Sequence, residues 1–223
     1  MKRNLAVLTM MAFAIGLMTF TSCKKDDTTS PDITLTGGTL YLNLATTYVE
    51  PGFTANDDED GDITVDVAVT SDVNTTQVGM YTVTYTVADK AGNETTVTRD
   101  VYVKTAKLAG NYSVIDTVTG ANAQIYAYDV TVDSSAAVDV WWKTIIIHNF
   151  GGYGTPVIVK ASIDGGVITI PSQVPSGMPA GYEGTISGSG TYDGANKVLK
   201  TFNYTATYDA GGSDQGKAHF TRL

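Results

Sequence analysis

A strict alternation of apolar or aromatic residues with threonines is the feature that most constrains the fold of this chain. Residues 81–87 read Tyr-Thr-Val-Thr-Tyr-Thr-Val, which puts Tyr81, Val83, Tyr85 and Val87 on one face and the threonines on the other. A period of two residues is typical of a β-strand with one buried and one solvated face. Residues 89–93, Asp-Lys-Ala-Gly-Asn, predict a turn, and residues 95–103 predict the partner strand. Parity also puts Arg99 on the apolar side of that partner, which predicts a strand edge or a bulge there.

The rest of the chain repeats this pattern, and no period typical of a helix appears in it. Short candidate strands cover residues 39–44, 48–55 and 63–69. From residue 106 onward, eight more candidates, one of them spanning residues 138–150, are separated by Gly- and Asp-rich turns. The chain is therefore predicted to be all-β. An immunoglobulin-like β-sandwich is expected over residues 33–104, followed by an antiparallel β-barrel or sandwich of about eight strands over residues 106–223.

The first 27 residues predict export. Lys2 and Arg3 precede an apolar run over residues 5–20, and small residues then lead to Cys23, the only cysteine. This organisation is typical of a signal peptide over residues 1–22, followed by a tether over residues 23–32. A membrane-spanning anchor is the first alternative, although the run is short for a span of about 20 residues. Ordinary secretion with an incidental cysteine is the second.

The leader resembles bacterial lipoprotein signals, in which lipid is attached to the cysteine that follows the cleavage site. It departs from them in having Phe20, where leucine is usual three places before that cysteine. Residues 24–27, Lys-Lys-Asp-Asp, are similar to export signals of lipoproteins from Bacteroidota. The resemblance implies that Cys23 anchors the protein by lipid in the outer membrane, facing the cell exterior; a plain charged tether is the alternative.

Charge limits the partners of the exported chain. The sequence has 14 basic and 23 acidic residues and a net charge of −9, which becomes two units more negative when the leader is removed. Such a surface excludes nucleic acid as a natural partner. Because lipid would occupy the single cysteine, disulfides are not expected and stability must come from packed cores.

Three stretches carry a family resemblance in the first domain: residues 48–55, Tyr-Val-Glu-Pro-Gly-Phe-Thr-Ala; residues 60–64, Asp-Gly-Asp-Ile-Thr; and residues 78–93. Together with Val101-Tyr-Val103, they resemble a bacterial immunoglobulin-like domain family found in insecticidal crystal toxins and in many surface proteins. The resemblance implies a spacer or adhesive module without catalytic activity.

The acidic stretch over residues 56–62, Asn-Asp-Asp-Glu-Asp-Gly-Asp, suggests calcium, because clustered oxygen ligands around a glycine turn suit that ion. An EF-hand is excluded, since with Gly61 at the sixth place Val67 falls at the twelfth, where a glutamate is required. A loop site remains as a hypothesis, with the ligands Asp57, Asp58, Asp60 and Asp62; a solvated acidic turn is the alternative. No other cofactor is predicted.

The second domain resembles lipocalin-like barrels in its opening strand, Leu108-Ala-Gly-Asn-Tyr-Ser-Val114. It is also similar to an uncharacterised domain that follows such immunoglobulin-like modules in lipoproteins of gut Bacteroidota, in particular over residues 149–153, Asn-Phe-Gly-Gly-Tyr. That resemblance implies no known activity.

Aromatic side chains are the best candidates for a binding site in this domain. Strand alternation places Trp142 with aliphatic residues and leaves Trp141 free to face solvent. An exposed aromatic platform suits the apolar face of a sugar ring. The candidate ligand-binding residues are Trp141, Tyr126, Tyr128, Tyr153 and Tyr182. The alternative is that Trp141 packs under the neighbouring domain.

No catalytic signature emerges. His148 lies on the predicted apolar face of its strand, which favours a buried structural histidine over a catalytic base. A glycosidase pair is conceivable among Asp129, Asp139 and Glu183, but no spacing selects one.

The chain is therefore predicted to be a non-catalytic envelope lipoprotein whose second domain binds glycan or another envelope component. The alternatives are a polysaccharide-acting hydrolase and a structural subunit of a surface complex.

Overall fold

The computed structural model describes residues 26–134, 141–154 and 156–223, which form two β-domains. The all-β prediction is confirmed, and the choice left open for the second domain resolves to a closed barrel. Within the described residues, no helix is long and apolar enough to cross a membrane.

The first domain is a sandwich of two small sheets. One sheet has the strand order β1-β3-β4 and the other the order β2-β7-β6-β5. All neighbouring strands are antiparallel except β2 and β7, which are parallel. The strands are β1 (Asp32–Leu35), β2 (Leu40–Asn43), β3 (Phe53–Asp57), β4 (Gly61–Asp62), β5 (Ala68–Ser71), β6 (Gly79–Ala88) and β7 (Glu94–Lys104). As alternation predicts, Val83, Tyr85 and Val87 are buried between the sheets.

Arg99 lies in the core of this sandwich, so the prediction of a strand edge or a bulge is wrong. It pairs directly with Val83 in an unbroken register and is only 2% exposed. Its guanidinium forms an ion pair with Glu50 at 3.3 Å and donates to the carbonyl oxygens of Thr36 and Gly38. Arg99 Nε also donates to the Tyr85 hydroxyl at 3.0 Å. The buried charge is therefore compensated, which is the condition for its presence in a core.

The second domain is an eight-stranded up-and-down barrel. Each strand pairs antiparallel with the next along the chain, and the last pairs with the first. The strands are β8 (Gly110–Gly120), β9 (Gln124–Ser134), β10 (Thr144–His148), β11 (Ile158–Asp164), β12 (Val167–Gln173), β13 (Gly184–Asp193), β14 (Val198–Tyr208) and β15 (Ser213–Arg222). Alternate side chains fill the interior, as expected of a small barrel.

The predicted strand over residues 138–150 differs from the structure. Residues Trp141–Lys143 form a 3-10 turn, and only Thr144–His148 are a strand. Because the turn breaks the alternation, His148 is not a buried histidine: it lies half-buried on the outer face, with Nε2 3.0 Å from Asp133 Oδ2. The side chain of Trp141 and the whole of Asp139 lie outside the described residues.

The two domains share part of a hydrophobic core. Leu44, Val78 and Val103 of the sandwich belong to the same buried cluster as the barrel interior. The backbone N–H of Val78 donates to the Tyr192 hydroxyl at 2.7 Å, and that hydroxyl donates to the carbonyl of Gly165 at 2.6 Å. Trp142 joins this interface, because its ring meets that of Tyr102 edge-on at 5.1 Å. The sandwich therefore covers one end of the barrel.

The up-and-down topology gathers four connections at the opposite end. They are the residues between β8 and β9, between β10 and β11, between β12 and β13, and between β14 and β15. The end that faces away from the sandwich is therefore surrounded by loops.

Candidate functional site

A pocket opens into the barrel at this loop-rich end. The volume of the pocket that protein atoms do not occupy is about 610 Å³, including the part that is open to solvent. The inner wall is formed by residues of β8, β11, β13, β14 and β15, and the rim by Tyr126 of β9 and by residues of the loops that follow β8, β10 and β12. The lining includes two carboxylates, Asp116 and Asp214, and the aromatic side chains of Tyr126, Phe150, Tyr153, Tyr182, Tyr204 and Tyr208.

Asp116 lies deep in this pocket. It occupies an inward position of β8 between Val114 and Val118, and it is 1% exposed. Its Oδ2 accepts hydrogen bonds from the hydroxyls of Tyr128 at 3.0 Å and Tyr204 at 2.6 Å. Its Oδ1 is buried and has no partner. A buried carboxylate oxygen without a partner is costly, and a ligand hydroxyl or ammonium group would satisfy it.

The loop between β10 and β11 closes one side of the pocket. Phe150 inserts into the barrel, where its ring meets that of Tyr204 at 5.1 Å and it is 3% exposed. The chain turns inward here because Asn149 and Gly151 adopt left-handed backbone conformations, with φ of 63° and 81°. A Cβ on Gly151 would lie 2.8 Å from the Tyr153 ring. The Asn-Phe-Gly-Gly-Tyr stretch is thus a local plug that seats Phe150 and leaves Tyr153 at the rim.

Tyrosine rings form the rim. Tyr153 and Tyr182 are 37% and 36% exposed, and their ring centroids are 5.1 Å apart. Tyr182 also meets Tyr208 edge-on at 5.9 Å. Rings held at these distances present apolar faces together with hydroxyl groups, which is the surface that an amphipathic ligand needs.

Asp214 is the second carboxylate of the lining. It accepts hydrogen bonds from the backbone N–H and the side-chain amide of Asn122, at 2.8 and 2.9 Å, and from the Tyr208 hydroxyl at 2.6 Å. Burial opposes its ionisation, but these donors outweigh burial and hold its pKa below the usual value. Asp214 is therefore a satisfied carboxylate that positions Tyr208.

The pKa of Asp116 is shifted in the opposite direction to that of Asp214. Burial raises its pKa, and the hydroxyls of Tyr204 and Tyr128 offset this only in part. The same burial raises the pKa values of Tyr204 and Tyr128, which therefore stay protonated as donors. The pocket thus combines one carboxylate kept ionised with one whose charge is disfavoured.

The structure brings four of the five predicted ligand-binding residues to this pocket. Tyr126, Tyr153 and Tyr182 line it directly. Tyr128 stands behind it and donates to Asp116. The fifth, Trp141, has a side chain outside the described residues, so its place relative to the pocket stays a prediction.

Of the three carboxylates considered for a glycosidase, Asp129 and Glu183 do not line this pocket, and Asp139 lies outside the described residues. Asp129 is exposed on the outer face of β9, and Glu183 is exposed and bound to the backbone N–H of Gly181. The pocket's own pair, Asp116 and Asp214, faces Ala218 and Gly120 in the β8–β15 register. Their Cα positions are thus offset by four residues, or about 13 Å along the strands.

The four carboxylates proposed for calcium are also dispersed. Asp60 binds Lys90 at 2.8 Å, Asp62 accepts from the backbone N–H of Thr64, and Asp58 is exposed. Among the described residues, the group of three or more potential metal ligands within 4.8 Å of one another is instead Asp27, Asp57 and Asp89.

Sequence reasoning missed Asp116, Asp214, Tyr204 and Tyr208. A signal for the first two was present: Asp116 alternates with Tyr112, Val114 and Val118, and Asp214 with Ala218 and Phe220. An acidic residue on an otherwise apolar face is informative, because isolated charges are rarely buried.

Comparisons with known proteins bear mainly on the first domain. Residues 33–103 match the family described as "Bacterial surface protein, Ig-like domain". A search of curated proteins found no match. Among solved structures, the chain is similar to the lipoprotein BT2262 from Bacteroides thetaiotaomicron, with 21% identity, 85% of this chain and 99% of that chain covered, and a TM-score of 0.34.

A second similar structure contains the CBM51-2 domain in complex with GlcNAc and the INT domains of ZmpB from Clostridium perfringens. The identity is 16%, the coverage is 86% of this chain and 44% of that chain, and the TM-score is 0.30. With TM-scores below 0.5, neither similarity supports a conclusion about this chain.

Proposed function

We propose that this chain is a cell-envelope protein whose barrel domain binds a neutral or amino sugar in the tyrosine-rimmed pocket. The observation that supports this proposal most strongly is the unpartnered Oδ1 of Asp116 at the inner wall, beneath a rim of exposed tyrosine rings. An envelope location is supported by the bacterial-surface family matched over residues 33–103. Lipid attachment at Cys23 and outer-membrane anchoring, facing the exterior, belong to the same proposal and rest on the leader sequence.

The chemistry of the pocket suits a sugar. A pyranose ring has an apolar face of C–H groups, which leaves water when it packs on Tyr153 or Tyr182. Its hydroxyl groups are donors, and Asp116 Oδ1 is an acceptor in need of one. The pocket is closed on the sandwich side by the barrel core. A terminal sugar entering from the loop end therefore fits better than the middle of a chain.

The negative charge of the pocket and of the whole protein limits which sugars are expected to bind. Two carboxylates line the pocket, and the protein carries a net charge of −9. A uronic or sialic acid would bring a further negative charge toward Asp116 and Asp214, which is unfavourable in a partly dehydrated site. Neutral sugars and amino sugars remain.

We favour binding over hydrolysis because nothing in the pocket selects Asp116 and Asp214 as an acid–base pair. Their positions lie four residues apart along neighbouring strands, and Asp214 is already held by Asn122 and Tyr208. No second pair of described lining residues offers an acid and a base, since the remaining lining side chains are neutral.

The test is a glycan array with the purified protein, followed by calorimetric titration of the best neutral or amino sugar. Tyr182→Ala should weaken binding about tenfold or more, because it removes a rim ring while leaving the barrel core intact. Tyr41→Ala is the matched control: Tyr41 is also exposed, at 51%, but lies on β2 of the sandwich. Equal loss in both variants, or an array dominated by acidic sugars, contradicts the proposal.

A further inference from the structure

Three carboxylates converge at the end of the sandwich that faces away from the barrel. Asp57 ends β3, Asp89 begins the turn between β6 and β7, and Asp27 comes from the tether. One carboxylate oxygen from each lies within 4.8 Å of the others. Three negative charges this close repel one another unless a cation lies among them.

Asp57 supplies an independent sign of a missing partner. It is 3% exposed, and its Oδ2 is buried without any hydrogen bond. Its Oδ1 already accepts from the backbone N–H groups of Glu59 and Asp60, at 3.0 and 2.9 Å. Oδ2 is therefore the oxygen that remains for a ligand, and a buried carboxylate oxygen left alone is expensive.

Neighbouring hydrogen-bond donors hold the carboxylate of Asp89 in position within the cluster. Asp89 accepts hydrogen bonds from the backbone N–H groups of Gly92 and Asn93 and from the Asn93 side chain. Lys90, from the same turn, has its ammonium group 2.8 Å from Asp60.

The tether is laid against the domain at the same place. The Asn93 amide donates to the carbonyl of Asp27 at 3.3 Å, and the Thr95 hydroxyl donates to the carbonyl of Pro31 at 2.5 Å. Asp27 is thereby held beside Asp57 and Asp89 although it lies outside the folded strands.

We propose that Asp27, Asp57 and Asp89 bind one calcium ion that fastens the tether to the sandwich. Calcium takes six to eight oxygen ligands in flexible geometry, so three carboxylates with water suffice, whereas magnesium demands a stricter octahedron. Cys23 lies four residues before Asp27, about 14 Å of extended chain at most. With lipid on Cys23, the bound ion would hold the sandwich within that reach of the membrane.

The test is calorimetric titration of the EGTA-treated protein with calcium chloride, with magnesium chloride as the comparison ion. A dissociation constant of about 0.1–1 mM is expected, as in extracellular calcium modules. Asp27→Asn should weaken binding at least about tenfold, because it removes one charged ligand from the half-exposed tether without touching the core. Asp57→Asn should do the same, since its amide oxygen can still accept the two backbone N–H groups.

Asp58→Asn is the matched control, being an exposed neighbour of Asp57 outside the cluster. Calcium should also slow hydrogen exchange of the amides between Thr28 and Pro31 in the parent protein and not in Asp27→Asn. The proposal is overturned if the parent protein binds no calcium, if magnesium binds equally well, or if Asp58→Asn loses as much affinity as Asp27→Asn. Each outcome leaves the carbohydrate test unaffected, because the pocket lies in the other domain.

Discussion

Replacing Asp116 tests the physical account of the pocket most directly. Asp116→Ala removes the acceptor of the Tyr128 and Tyr204 hydroxyls. A hydrogen bond to a charged group contributes about 1.5–3 kcal/mol, and two of them about 3–6 kcal/mol. Water can enter the half-open pocket and recover part of this, so a loss of about 3 kcal/mol is expected. For a cooperative unit of this size, that lowers the melting temperature by about 6–12 °C.

Asp116→Asn should behave differently, because the amide oxygen can accept both hydroxyls without carrying a charge. Burial raises the pKa of Asp116 above its unfolded value, so the folded protein holds the proton more tightly than the unfolded chain. The stability that this group contributes is then fully present below about pH 3.9 and is lost as the pH rises through the folded pKa. The asparagine variant escapes that loss, so its stability relative to the parent should increase with pH.

The assay is thermal melting of the parent and both variants, followed by circular dichroism between about pH 4 and about pH 8. At neutral pH, the asparagine variant should melt at or above the parent and the alanine variant well below it. Two results would refute the reasoning: equal destabilisation by both substitutions, or an asparagine-minus-parent difference that falls as the pH rises.

Three further predictions concern packing, buried charge and the anchor. Gly216→Ala should destabilise by about 3 kcal/mol or more, since its Cβ would lie 2.0 Å from a tyrosine ring, whereas in Gly166→Ala the nearest atom is 3.6 Å away; chemical denaturation measures both. Arg99→Ala should cost about 3–5 kcal/mol and the exposed Lys90→Ala less than about 1 kcal/mol in the same assay. Cys23→Ala should release the protein from the membrane fraction and abolish labelling by a fatty-acid probe.

The strands were predictable because a period of two residues is a local property. The faces of β6 came directly from the order of valines and threonines, and turn residues marked most strand ends. Closure of the barrel was not predictable in this way, because it depends on the pairing of β8 with β15, about a hundred residues apart. Sequence alternation is the same in a barrel and in a sandwich.

For side chains that interrupt the alternation of apolar and polar residues, the sequence predicted the face of the strand but not the contacts made there. Parity placed Arg99 on the apolar face correctly, but its partners Gly38 and Glu50 lie 61 and 49 positions away in the sequence. His148 was misplaced because a 3-10 turn resets the alternation at Lys143, whereas Trp142 packs against the hydrophobic core as predicted. Tyr153 and Tyr182 were candidates because they are aromatic, but their meeting at one pocket could not be predicted, since only the up-and-down topology brings their loops to one end.

The closed barrel also bears on self-association of the protein at high local concentration. A closed sheet has no edge strand with unpaired backbone N–H and C=O groups, so a strand of another chain cannot pair with the barrel there. The sandwich, by contrast, has β5 at one border, and all four of its residues are exposed. Self-association through strand addition would therefore start at Ala68–Ser71, and the brevity of that border, which offers few hydrogen bonds, keeps neighbouring molecules separate.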